Sequence, residues 1–120
     1  MNLDHLFDKS SETLSLKAGE MLFEQGGEAG ESMFVVLEGQ LELQVNGAIV
    51  ETVEKGGMLG EMSMIEASKR SASAIAKTDC RLAVVGKKRF LFMVQETPFF
   101  ALHVMRVLVN RLRHMDKIIA

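Results

Sequence analysis

Between residues 13 and 85 short apolar runs, continuous or alternating with polar residues, follow one another as TLSL, EMLF, SMFVVLE, QLELQV, AIVETV, SASAIA and CRLAVV. Runs of this length, separated by glycine-bearing turns, predict short antiparallel strands of a β-sandwich or barrel. The strongest local signal is QVNGAIV. Asn46-Gly47 takes the positive φ angles of a two-residue hairpin turn and joins Leu41, Leu43 and Val45 to the following strand. The glycine-rich EQGGEAGE has neither a GK[ST] ending nor a helix directly after it, so it reads as a turn and not as a phosphate loop.

After Gly86 the apolar spacing becomes helical. Residues 87–96 form one short amphipathic helix, and Thr97-Pro98 ends it and begins another, with Thr as N-cap and Pro in the first turn. The last helix, about 98–118, carries Ala101, Met105, Leu108, Leu112, Met115 and Ile119 in a 4-3-4-3-4 spacing that resembles a coiled-coil seam. Leu102, Val104, Val107 and Val109 widen the apolar surface beyond a seam. Two readings follow: a helix packed on the barrel by one face, or a helix with a second face for another subunit. The chain is expected to be one domain, residues 1–120, with strands over about 13–85 and helices over about 87–96 and 98–118.

Composition narrows the function. A chain of 120 residues supports a single core that buries roughly 60 to 70% of the unfolded surface. No apolar run approaches the ~20 residues of a membrane span, and MNLDHLFDKSSE is acidic, without the basic and apolar parts of a secretory leader. A cytoplasmic location without membrane attachment is the expectation. The single cysteine, Cys80, excludes an internal disulfide, a cysteine-based zinc site and a multi-cysteine iron–sulfur cluster. The net charge of -2 divides unevenly: residues 1–60 hold 3 Lys/Arg and 11 Asp/Glu, residues 61–120 hold 11 and 5. The basic half suits either a solvated surface or an anionic ligand. Without Trp, Tyr or a dense Lys/Arg run, a nucleic-acid stacking platform is not supported.

The candidate chemistry lies in GGMLGEMSMIEASKRSASAIA, residues 56–76, where Glu61 and Arg70 stand nine positions apart among glycines and small residues. GGMLGEMSM has the composition of a short helical turn approached by glycine, where backbone N–H groups converge on an anion. Ser63 and Ser71 let the backbone come close, and Arg70 supplies a permanent forked donor for two phosphate oxygens. A carboxylate beside an anion site suits sugar hydroxyls, so Glu61 is assigned to a ribose. Phosphate and ribose held by one short segment imply a compact nucleotide.

LGEMSMIEASKRSASA resembles the phosphate-binding cassette of the cyclic nucleotide-binding domain family, and KAGEMLFEQGGEAGESMFVVLEGQLEL is similar to the family's first half. The resemblance implies a mainly β fold, an antiparallel β-roll or jelly roll flanked by α-helices. It also implies that Glu61 bonds the ribose 2′-hydroxyl, that Arg70 binds the exocyclic phosphate oxygens, and that Gly60, Met62, Ser63 and Ser71 complete the cradle. Arg113, Met115 and Asp116 are the candidates near the base, and none of them distinguishes adenine from guanine. Adenosine 3′,5′-monophosphate ranks ahead of the guanosine form only because it is commoner among bacterial relatives. Lys69 stands where many relatives carry Pro, a second cation next to Arg70.

Transcription-factor relatives continue from the last helix into a helix-turn-helix domain, whereas this chain stops at Ala120, so direct nucleic-acid binding is not expected. The output falls to helix 98–118, read by an effector protein, a second copy or a region outside these 120 residues. His5, His103 and His114 lie outside the strand region, which leaves a cupin-type metal enzyme without ligands on adjacent strands and a haem ligand without a place. No metal or other cofactor is expected, and no nucleophile–base pair is recognisable, so the chain is read as a sensor and not an enzyme. The alternative is a module of the same fold that binds no ligand and works through protein contact or dimerisation.

Overall fold

The computed structural model describes residues 3–7, 12–65 and 69–119, by backbone alone at 4–5 and 115–119. Eight strands form two antiparallel sheets. One has β1 (Thr13–Leu16), β8 (Cys80–Gly86), β3 (Ser32–Glu38) and β6 (Met58–Leu59) in that order. The other has β2 (Met21–Phe23), β7 (Ser73–Ala76), β4 (Leu41–Val45) and β5 (Ala48–Val53). Short α1 (Asp4–Phe7) precedes them, α2 (Met62–Ile65) follows β6, and α3 (Lys87–Glu96) and α4 (Pro98–Ile119) close the chain. The architecture is the expected β-roll flanked by helices.

The side-chain period of two explains the layers. On β3, Met33, Val35 and Leu37 join Ala83 and Val85 of β8 beneath the helices, where they meet Phe7, Phe90 and Phe100. Val36 and Leu82 point the other way, into a core shared with Leu41, Leu43, Val50 and Ala74 of the second sheet. The first sheet is thus covered on both faces, which is why SMFVVLE and CRLAVV are nearly continuous apolar runs. The second sheet is covered on one face only, and LELQV alternates accordingly. The β4–β5 turn has φ 52° at Asn46 and 82° at Gly47, the expected hairpin geometry.

Two expectations needed correction. The strand pattern missed β6, because two residues are too few to show a period. Met58 and Leu59, taken as part of a helical turn, pair with Val35 and Phe34 on β3, and the turn proper begins after them. In α4, Leu108 of the expected seam packs against the core beside Val104 and Val107, while Met105 and Leu112 face solvent. The seam residues therefore straddle the border between the packed and the solvent side of the helix. Met115 and Ile119 fall outside the described side chains.

Candidate functional site

β6 carries the chain to Gly60, whose φ of 76° turns it sharply into Glu61 and α2. A side chain at Gly60 would be strained at that φ, and its Cβ would come within 2.8 Å of Nη1 of Arg70. Glycine is required here for the turn and for the approach of the guanidinium. Within the turn the Ser63 amide donates to the Gly60 carbonyl at 3.2 Å and the Met64 amide to the Glu61 carbonyl at 3.0 Å. Met64 anchors the turn in the core.

Arg70 is held from behind by the loop that read as a plain turn. The Gly26 amide donates to the Arg70 carbonyl at 2.8 Å, and the Arg70 amide to the Gly27 carbonyl at 2.9 Å. Its guanidinium lies 4.3 Å from the Phe23 ring centroid and donates through Nη1 to the Ser63 hydroxyl at 2.7 Å. Its Nε is buried with no acceptor among the described residues. An orphaned donor on a cation is costly in a low-dielectric setting. Burial lowers the Arg70 pKa, and the charge of Glu61 opposes that shift. Ser71 donates its hydroxyl to the Met62 sulfur at 3.6 Å, and neighbouring Lys69 makes an exposed ion pair with Glu28 at 2.8 Å.

Glu61 is 3% exposed and is the one buried charged residue among those described. Its partner is a residue that sequence reasoning did not single out. Arg111 of α4 donates through Nη1 to Oε1 of Glu61 at 2.5 Å, through Nε and Nη2 to the two carboxylate oxygens of Glu51 at 2.8 and 3.0 Å, and through Nη2 to the Met58 carbonyl at 2.6 Å. Burial lowers the Arg111 pKa, but the hydrogen bond with Glu51 and the charges of Glu61 and Glu51 outweigh it and the net shift is upward. Arg111 therefore stays charged. The spacing held a signal for it: Val104, Val107, Leu108 and Arg111 share the core-facing side of α4, and an arginine on an apolar face requires carboxylates.

Gly60, Glu61, Met62, Ser63, Arg70 and Ser71, all named from the sequence, line one cleft together with Phe23, Leu43, Lys69, Ala72 and Arg111. Its walled part is small, about 50 Å³, and opens outward. Arg113 does not join them. Two residues beyond Arg111 on a helix is a rotation of about 200°, and Arg113 lines the outer face of α4 with Leu102, Met105 and Val109. The side chains of Met115 and Asp116 lie outside the described residues. Among the described residues no group of three or more His, Cys, Asp or Glu is placed to hold a metal, and no helix is long and apolar enough to cross a membrane.

The family model described as "Cyclic nucleotide-binding domain" matches residues 13–97, which includes every cleft residue except Arg111. The chain is 33% identical over 79 residues to the cGMP-dependent protein kinase egl-4 of Caenorhabditis elegans, covering 66% of this chain and 10% of the kinase. It is 29% identical over 103 residues to the Cyclic AMP receptor protein of Thermus thermophilus, covering 82% of this chain and 47% of the relative. The crystal structure of the Thermus thermophilus Catabolite Activator Protein superposes with a TM-score of 0.75 at 26% identity, over 88% of this chain and 51% of that one. The chain thus spans about half or less of the length of these relatives.

Proposed function

The chain belongs to the cyclic nucleotide-binding domain family, and from that premise we propose that it is a single sensor domain for a cyclic mononucleotide, the adenosine form ahead of the guanosine form. The observation that carries this reading is the buried Nε of Arg70, unpartnered among the described residues, beside a cleft that also presents Glu61. A cyclic phosphate supplies the missing acceptor, and Arg70 forks to its exocyclic oxygens. Ser71, Met62 and the Ser63 hydroxyl flank it. Glu61 takes the ribose hydroxyl: Arg111 occupies Oε1, and no described residue donates to Oε2. Arg111 holds that carboxylate in place, and Gly60 sets the turn that delivers it.

Binding involves no covalent step. Its output is a change in α3 and α4, with α4 tied to the ligand's surroundings through Arg111, and it requires the ligand to favour one helix arrangement over the other. An effector protein or a second copy reads the change. Such a sensor acts where cyclic nucleotides are made, in the cytoplasm.

One observation favours the alternative of a ligand-free interaction module. A walled volume of about 50 Å³ is well below the ~300 Å³ at which small-molecule pockets begin. A mononucleotide must therefore part the lining side chains or lie largely in the open mouth.

Calorimetric titration with adenosine and guanosine 3′,5′-cyclic monophosphates, with linear adenosine monophosphate as control, separates the two. Saturable heat with a cyclic form and little with the linear one supports the sensor and ranks the bases. Neither heat nor thermal shift with either cyclic form, for folded protein free of carried-over ligand, rejects it in favour of the interaction module.

A further inference from the structure

Leu102, Met105, Val109 and Leu112 are 46, 58, 44 and 52% exposed on the side of α4 away from the barrel. Their 3-4-3 spacing makes one continuous stripe, with an end-to-end reach of about 15 Å at 1.5 Å per residue. Arg106 and Arg113, seven residues apart, run along one edge of the same groove. Both are exposed, and neither pairs with a carboxylate among the described residues. An apolar stripe and a row of cations with the same seven-residue period form a composite surface. Its complement is a helix with an apolar seam and acidic residues beside it.

Charge decides between occupants. Residues 98–114 contain no Asp or Glu, so the same stretch of a second copy brings no counter-charge. Antiparallel self-pairing sets Arg106 against Arg113, and parallel self-pairing leaves both cations unmatched. A lipid surface calls for a wide apolar face, whereas this stripe is bordered by Arg106, Asn110 and Arg113. We propose that the outer face of α4 docks an acidic amphipathic helix of a partner protein, in contact with Leu102, Met105, Val109 and Leu112 and paired to Arg106 and Arg113. The inference rests on the reading of α4 as the output element, for which it supplies the reader. Its test uses no nucleotide, so its failure and failure of ligand binding are told apart.

The probe is a designed helical peptide of about four heptads with Leu on its seam and Glu on both flanks, compared with a twin carrying Lys for Glu. Fluorescence anisotropy with the whole chain should show saturable binding of the Glu peptide that weakens as salt rises, and no binding of the Lys peptide. R106E/R113E should bind the Glu peptide roughly tenfold or more weakly and take up the Lys peptide. Met105→Ser/Val109→Ser should bind neither, with an unchanged thermal midpoint because both positions face solvent. Equal binding of the two peptides, or binding of neither, overturns the proposal. So does sedimentation showing a dimer that Met105→Ser/Val109→Ser dissolves, or co-sedimentation with phosphatidylserine vesicles that this variant abolishes.

Discussion

Arg70 and Arg111 line the same cleft in opposite conditions. Arg111 makes four hydrogen bonds to two carboxylates and a carbonyl. Among the described residues Arg70 makes one side-chain bond to a hydroxyl, stacks on a phenyl ring and leaves a buried nitrogen without an acceptor. A saturated cation belongs to the fold, and on the proposed reading the unsaturated one awaits a ligand. The difference teaches which arginine to associate with stability and which with affinity, although both are positively charged and partly buried.

The largest expected effect comes from Arg111→Ala, which leaves Glu61 inside the protein without its ion-pair partner. It should lower unfolding free energy by about 3 kcal/mol in urea denaturation. A loss of only a few tenths would mean that the carboxylates do not depend on it.

Arg70→Ala should do the reverse. Cyclic nucleotide affinity should fall roughly 10- to 150-fold, equivalent to ~1.5 to 3 kcal/mol, while stability holds or rises because the orphaned donor is gone. Undiminished binding would remove Arg70 from the phosphate, and a large stability loss would erase the contrast between the two arginines.

Gly60→Ala probes the point where both roles meet, since it strains the turn and presses on Nη1 of Arg70. Stability should drop by about 1 kcal/mol, with weaker binding alongside. A change in only one of the two would show that the turn and the guanidinium are independent.

Glu61→Gln sharpens the ribose assignment. Preference for the ribose ligand over its 2′-deoxy form should shrink by about 1 kcal/mol in paired titrations. Equal losses with both forms would detach Glu61 from the sugar.

Lys69→Ala should matter least. Its ion pair with Glu28 is exposed, and such pairs contribute under about 0.5 kcal/mol. A larger loss of affinity would make Lys69 a second phosphate cation.

Much of the fold was legible because burial writes itself into spacing. The doubly covered sheet gave the unbroken runs around Val35 and Leu82, the half-covered one gave the alternation around Leu41 and Leu43, and Asn46-Gly47 announced its hairpin. The lining of the cleft was equally legible, since Gly60, Glu61, Met62, Ser63, Arg70 and Ser71 fall in one segment. Arg111 was not, because it lies 50 positions beyond Glu61 and nothing local says which carboxylate an arginine on a helix will meet. Arg113 was misplaced for a related reason: nearness in sequence to the site helix does not fix which way a side chain turns.

The sequence by itself determined the β-roll and the small, glycine-hinged segment that lines the cleft. Hydrophobic period and backbone permissiveness are properties of neighbouring residues. Only the tertiary structure decided that Arg111 holds Glu61, that Arg70 keeps a donor in reserve and that α4 turns an apolar, basic-edged face outward. Each of these depends on the rotation of a helix packed against a sheet, and contacts between distant segments set that rotation.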